Sequence, residues 1–125
     1  ITYDVLNDKA EYLGGNIAPG INLRMRAMHE FTAKLPLIER GVQEQIWGVS
    51  TETALRNGGQ YGAVYEMQGF IDACEAEFGR MEVILTGGDA DFFGKALKRK
   101  IFVRPNLVLW GLYEISSRLS TGDAR

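Results

Sequence analysis

Alternating apolar and polar residues predict that the chain begins with a small β-meander. Residues 1–6 place Ile, Tyr and Val at alternate positions, and residues 10–13 form a second strand-like stretch behind an Asn-Asp turn signal. Two glycines and a Pro-Gly pair then leave room for a short third strand around Asn16 and Ile17. We therefore predict three consecutive strands within the first 20 residues.

Helical spacing of apolar residues predicts two helices in the middle of the chain. Four apolar residues between positions 21 and 31 lie on one face of a helix that begins near Pro19. A longer helix is expected to begin near Thr51 and to end at Gly79, with a kink or a break at Asn57-Gly58-Gly59.

Two short apolar strands, each followed by a helix, complete the pattern. The first strand covers residues 81–85 and precedes a helix over about residues 89–98. The second covers residues 101–103 and precedes a helix capped by Asn106. The predicted order β-β-β-α-α-β-α-β-α indicates an α/β fold with a mixed five-stranded sheet and helices on both faces.

The composition indicates one globular domain with no nucleic-acid or membrane partner. The chain has 125 residues, 46% of them hydrophobic, with a formal net charge of -2 and a pI of about 5.4. A nucleic-acid footprint needs a clustered basic surface, and the one basic run, residues 98–100, is short enough to be a solvated loop. No apolar run reaches the roughly 18 residues of a membrane span. The single cysteine, Cys74, excludes an intrachain disulfide and fits a reducing, cytoplasmic location.

The strongest local signal for chemistry is the Thr86-Gly87-Gly88 turn, where a strand ends and a helix begins. Glycine lets a ligand approach the backbone closely, and the free N–H groups of a helix start suit a phosphate or a nucleotide. An ordinary tight turn explains the same residues equally well, so the motif alone leaves both interpretations open.

Hydroxyl and carboxylate groups at two other places are weaker candidates. Thr2 and Asp4 in the first strand could orient phosphate oxygens or hold Mg²⁺, although a solvent-exposed strand end is favoured on these residues alone. Ser50 and Thr51 could bind a polar ligand, although capping of the following helix is the better explanation.

Six segments, taken in this order, resemble the type III pantothenate kinase family and span essentially the whole chain. They are Thr2-Tyr3-Asp4, Gly14-Gly15-Asn16-Ile17-Ala18-Pro19-Gly20, Thr32-Ala33-Lys34-Leu35-Pro36, Ser50-Thr51, Leu85-Thr86-Gly87-Gly88-Asp89-Ala90 and Pro105-Asn106-Leu107-Val108. The second and fifth segments are specific in combination. The resemblance implies one half of the ribonuclease-H-like fold shared by actin, the Hsp70 chaperones and the sugar kinases, in which two such halves clamp a nucleotide.

The resemblance also implies an activity. Members of this family transfer the γ-phosphate of ATP to the terminal hydroxyl of pantothenate, which is the first step of coenzyme A synthesis. They need Mg²⁺ and a monovalent cation, K⁺ or NH₄⁺. They are homodimers whose substrate pocket takes residues from both protomers.

Position in the family motifs implies roles for three substrate-binding residues. Thr51 matches the threonine that contacts pantothenate, and Ile17 and Thr32 belong to segments that reach the substrate pocket of the other protomer. Ala33 stands where some members carry a basic residue, so this chain departs from the family pattern at that position.

The nucleotide-binding residues follow from the same resemblance. Thr86, Gly87 and Gly88 match the motif on the adenosine side of ATP. Thr2 and Asp4 match the end of the second phosphate motif, so we expect Thr2 to bind the nucleotide and Asp4 to hold the metal.

Two family elements are missing from this sequence: the first phosphate motif and the segment that supplies the general base. Ile1 also begins a strand without an initiator methionine. We therefore expect residues 1–119 to be the C-terminal lobe of a longer enzyme, followed by a polar tail over residues 120–125. Without the N-terminal lobe the chain holds no catalytic residue and should be inactive alone, since phosphoryl transfer depends on positioning and charge neutralisation.

Two alternatives stay open on the sequence. The chain could be a lobe of another small-molecule kinase in the actin-like superfamily, or a non-enzymatic dimerisation or regulatory domain.

Overall fold

A computed structural model describes residues 1–42 and 44–122 of the chain as two compact units, one ending at Glu66 and the other beginning at Met67. The elements are β1 (Thr2–Leu6), β2 (Tyr12–Ile17), α1 (Ile21–Glu30), α2 (Thr51–Phe78), β3 (Ile84–Leu85), α3 (Ala90–Ala96), β4 (Phe102–Val103) and α4 (Leu107–Ser120). The predicted mixture of strands and helices is confirmed.

The first 20 residues form a two-stranded hairpin, so the predicted three-strand meander is wrong. Strands β1 and β2 pair antiparallel, with Thr2 opposite Ile17. Strand β2 continues through the glycine pair. At Gly15 the backbone lies so close to β1 that no amino acid with a side chain would fit. A Cβ atom at Gly15 would lie 1.9 Å from the Tyr3 carbonyl oxygen. The glycines therefore keep one strand continuous where a break between two strands was expected.

Helix α2 is also continuous where an interruption was predicted at Asn57-Gly58-Gly59. The reason is packing against α1. Met25 on α1 is buried, and a Cβ atom at Gly59 would lie 2.6 Å from its Cε atom. Gly59 therefore makes room for the end of the Met25 side chain, and the helical hydrogen bonds tolerate it.

The second unit contains a parallel pair of two-residue strands. Ile84 in β3 pairs with Phe102 in β4, and α3 buries Phe93. The described residues hold four strands in two separate two-stranded sheets, and so they do not form the five-stranded sheet expected from the sequence. One of the five expected strands is absorbed into β2.

Helix α4 begins after Asn106 as predicted, but the Asn106 side chain makes no capping hydrogen bond and no residue of the helix is buried. Eight large apolar side chains are exposed along it: Leu107, Val108, Leu109, Trp110, Leu112, Tyr113, Ile115 and Leu119. The helix continues through Ser120, the first residue of the predicted polar tail, and residues 123–125 of that tail lie outside the described residues. No helix in the described part of the chain has the length and apolar character required to cross a membrane.

Substitution of two glycines in α2 tests the packing role of Gly59. Gly62→Ala should stabilise the protein by about 0.5–1 kcal/mol, because alanine favours a helix and nothing lies within 4 Å of the added Cβ. Gly59→Ala should instead destabilise it by about 1 kcal/mol through overpacking against Met25. Urea unfolding of both variants measures the difference.

A Met25→Ala background supplies the control for this pair. With the Met25 side chain removed, Gly59→Ala should become stabilising, as Gly62→Ala is. The packing explanation fails if Gly59→Ala destabilises both backgrounds equally.

Candidate functional site

One face of the β1–β2 hairpin carries three of the predicted site residues. Side chains alternate along a strand, so Thr2 and Asp4 share the exposed face of β1 while Tyr3 lies on the other face. Ile17 is the cross-strand partner of Thr2 and is 89% exposed. Because cross-strand partners project from the same face, the hairpin presents a hydroxyl, a carboxylate and an apolar side chain together.

Glu66 on α2 determines which face of the hairpin is exposed. The Tyr3 hydroxyl donates to Glu66 Oε1 at 2.9 Å, and Arg24 Nη2 donates to Glu66 Oε2. Arg24 Nε also donates to the Pro19 carbonyl oxygen at 2.9 Å. Partial burial, followed by the bond to the Glu66 carboxylate, raises the pKa of Tyr3 above its ordinary value, so its hydroxyl remains a donor even where a free tyrosine would ionise. No local pattern in the sequence links these three side chains, which are far apart along the chain.

Thr51 begins α2 without taking part in its cap. The capping bonds are reciprocal: the Thr53 N–H donates to Ser50 Oγ at 3.2 Å, and the Ser50 N–H donates to Thr53 Oγ1 at 3.0 Å. This is a capping box, with Thr53 taking the place of the usual Glu or Gln. The exposed Thr51 hydroxyl is therefore left available to a ligand.

The irregular segment before α2 is held by side chains of that helix. Gln60 bonds both the N–H and the carbonyl oxygen of Gly41, at 2.9 and 2.8 Å. Asn57 donates to the carbonyl oxygens of Gln45 and Ile46, and Arg56 donates to that of Glu39. This segment could not be assigned from sequence, because it is held by bonds from a distant helix and has no periodicity of its own.

A concavity of about 310 Å³ lies beside the start of α2 as a result. Its lining residues are Val42, Glu44, Gln45, Trp47, Val49 and Thr53. Both apolar and polar groups line it, which suits a small polar molecule with an aliphatic part.

Thr32 lies beyond the end of α1, away from Ile17. Its hydroxyl donates to the Met28 carbonyl oxygen, and the neighbouring Phe31 is exposed. Ile17 precedes the ten-residue helix α1, which is about 15 Å long, and Thr32 follows it. The two residues thus mark separate points on the surface of the first unit.

The glycine turn belongs to the second unit. Gly87 has a φ of +89°, which glycine adopts without strain, and its carbonyl oxygen accepts from the Ala90 N–H at 3.2 Å. The Thr86 hydroxyl donates to the Pro105 carbonyl oxygen at 3.4 Å, and residues 86–88 are all exposed. The turn therefore exposes its backbone at the carboxyl end of β3, the edge where parallel sheets bind ligands, and the bonded Thr86 hydroxyl can still accept a hydrogen bond.

A metal ion would find a single candidate carboxylate on the open face of the hairpin, that of Asp4. The described residues contain no group of three or more His, Cys, Asp or Glu side chains placed to hold a metal. One carboxylate still fits Mg²⁺, which is commonly held by one or two carboxylates together with waters and the phosphates of its substrate.

Comparison with known proteins gives consistent matches. The family model for type III pantothenate kinase matches residues 1–73. The type III pantothenate kinase of Flavobacterium johnsoniae is 44% identical over 112 residues, which are 90% of this chain and 46% of the relative. The enzyme of Porphyromonas gingivalis is 44% identical over 118 residues, 92% of this chain and 48% of the relative. The enzyme of Bacteroides fragilis is 42% identical over 115 residues, which are 92% of this chain and 47% of the relative. The chain spans about half the length of the curated relatives it matches.

Removal of the Glu66 carboxylate tests its control of the hairpin. Glu66→Ala should lower the free energy of unfolding by about 2 kcal/mol, since it leaves the donors of Tyr3 and Arg24 unpaired in a partly buried site. Glu77→Ala, an exposed position in the same helix, should change it by less than about 0.5 kcal/mol. Equal losses in the two variants, measured by urea unfolding, would contradict this assignment.

Proposed function

This chain belongs to the type III pantothenate kinase family, and we propose that it is the C-terminal lobe of an enzyme that uses ATP to phosphorylate pantothenate. The observation that carries the proposal is the extent of the match to curated kinases of that name, which covers at least nine tenths of the chain. Membership of this family supports an actin-like fold for the lobe, of which the described residues form the two small sheets.

The open face of the hairpin is the proposed phosphate side of the ATP site. Thr2 would donate its hydroxyl to a phosphate oxygen, and Asp4 would hold Mg²⁺. When bound, Mg²⁺ neutralises the charge that the phosphates carry during transfer. The Thr86-Gly87-Gly88 turn is the proposed adenosine-side contact, supported by its exposed backbone and hydroxyl.

Pantothenate is the proposed ligand of Thr51. Support comes from the Thr51 hydroxyl, which the cap of α2 does not use, and from the adjoining concavity. Ile17 and Thr32 are proposed to contact pantothenate in the second protomer of a homodimer. Their exposure and their separation along α1 suit two residues that reach a neighbouring protomer rather than their own pocket.

The remaining requirements complete the proposal. The enzyme would use a monovalent cation, K⁺ or NH₄⁺, and would act in the cytoplasm, where a lone thiol such as Cys74 stays reduced. The general base would come from an N-terminal lobe, so the chain by itself would turn over no pantothenate.

Helix α4 is the proposed docking surface for that N-terminal lobe. Eight large apolar side chains are exposed on this one helix, and a cluster of exposed apolar side chains marks an interaction site. The relatives extend beyond the matched stretch by about the length of one further lobe, which supplies a partner of the right size.

Two threonine substitutions test the assignment of the substrates. The enzyme for this test is one in which this chain replaces the matching half of the Flavobacterium johnsoniae relative. Thr51→Val should raise KM for pantothenate about tenfold and change KM for ATP by less than about twofold, because one hydroxyl hydrogen bond is lost. Thr86→Val should do the reverse. If both variants affect the two substrates equally, the assignment is wrong.

Trp110 can report on docking at α4. The chain has two tryptophans, so in a Trp47→Phe variant labelled with 5-fluorotryptophan the single ¹⁹F signal belongs to Trp110, which is 68% exposed. Adding the unlabelled N-terminal half of the same relative should shift this signal and remove its sensitivity to solvent D₂O.

A second pair of variants supplies the control for docking. Leu112→Lys should weaken the association about tenfold, because it places a charge in an apolar contact, whereas Ala76→Lys, at an exposed position of α2 outside this surface, should leave it nearly unchanged. A complex that forms while Trp110 stays accessible to solvent would exclude α4 as the docking surface.

A further inference from the structure

The basic run over residues 98–100 was expected to be a solvated loop, but only two of its three side chains are exposed. Lys98 and Lys100 are exposed, but the Arg99 side chain is 21% exposed and turned inward. Arg99 Nη2 donates to a carboxylate oxygen of Glu75, which also accepts from the Met81 N–H at 3.4 Å. The proposed kinase function makes no use of this arrangement.

Arg99 lines a concavity of about 340 Å³ in the second unit. The other lining residues are Arg80, Met81, Glu82, Lys100 and Phe102. Glu82 and Lys100 each stand two residues before a strand of the parallel pair, so the concavity lies at the amino ends of β3 and β4. The glycine turn follows the opposite end of β3, about 13 Å away along the chain direction. The concavity is therefore separate from the proposed nucleotide contact.

The concavity carries an excess of positive charge in an acidic chain. Three cations and the Glu82 carboxylate line it. Glu75 offsets one cation, because its hydrogen bond from Arg99 holds the pKa of the Glu75 carboxyl below its ordinary value and keeps it ionised. Counting Glu75 and Glu82 against Arg80, Arg99 and Lys100 leaves one net positive charge.

Two of the cations are held in place by contacts with their surroundings. Lys100 Nζ lies 5.2 Å from the centroid of the Phe102 ring, a cation–π distance that keeps the ammonium group beside the concavity. Arg99 is fixed by Glu75, and its buried Nε–H has no acceptor among the described residues. An unpaired buried donor is unfavourable, so an acceptor that reaches the Arg99 guanidinium is favoured.

We propose that this concavity binds a phosphate group, either as free phosphate or as the head of a small phosphomonoester. Arg99 and Arg80 would donate to its oxygens and Lys100 would neutralise its charge, while Phe102 and Met81 provide an apolar wall for the remainder of an ester. The proposal does not depend on the identity of the kinase substrate.

The Arg99 Nε–H resonance in ¹H–¹⁵N spectra gives a direct test on this chain. The resonance is assigned by its loss in Arg99→Lys. Titration with inorganic phosphate should shift it saturably, whereas sodium chloride at matched ionic strength should not. Phenyl phosphate distinguishes the two sources: tighter binding than inorganic phosphate indicates an ester packed on Phe102, and equal binding indicates free phosphate.

Three variants with the same change in charge provide the control. Arg80→Gln and Lys100→Gln should each weaken phosphate binding by about threefold or more, as expected for a partly exposed charged contact. Lys98→Gln, which alters an exposed residue outside the concavity, should leave binding nearly unchanged. The proposal is overturned if phosphate causes no saturable shift, or if Lys98→Gln weakens binding as much as the other two.

Discussion

The Glu66 carboxylate is the contact on which the arrangement of the first unit depends. One oxygen accepts from Tyr3 in β1 and the other from Arg24 in α1, so a single side chain of α2 joins the hairpin and both helices. The alternation of side chains along β1 then determines which residues face solvent. With Tyr3 fixed toward α2, the residues on either side of it must face outward, and these are Thr2 and Asp4, the two groups proposed to meet the phosphates. The candidate site is thus oriented by a residue outside it.

Much of the fold could be predicted because its signals are local. The apolar stripe of α1 and the hydroxyl residues at the start of α2 are patterns within one or two helical turns. The glycines misled the prediction at two places, because a glycine that breaks an element and a glycine that admits a neighbour look the same in sequence. At Gly15 and Gly59 the neighbours are Tyr3 and Met25, which only the tertiary structure brings near.

In the candidate site, too, residues with a local signal could be predicted and residues that act through distant contacts could not. Local chemistry and motif position together named Thr51 and the glycine turn, and the structure adds the reason why the Thr51 hydroxyl is available. The polar residues of α2 that hold the preceding segment could not be found in this way. Gln60 matches both backbone groups of Gly41, as a neighbouring strand would, yet a glutamine in a long helix ordinarily indicates only a solvated position.

The close approach at Gly15 changes what the glycine-rich motif of the hairpin means. A motif of this kind is readily taken as a mark of phosphate chemistry, but here the absent side chain is a requirement of the neighbouring backbone. Any lineage that keeps this strand pairing must therefore keep glycine at this position, even if its enzyme has lost all affinity for ATP. Persistence of the motif in a distant homologue would accordingly report a preserved hairpin, and catalytic competence would have to be judged from other residues.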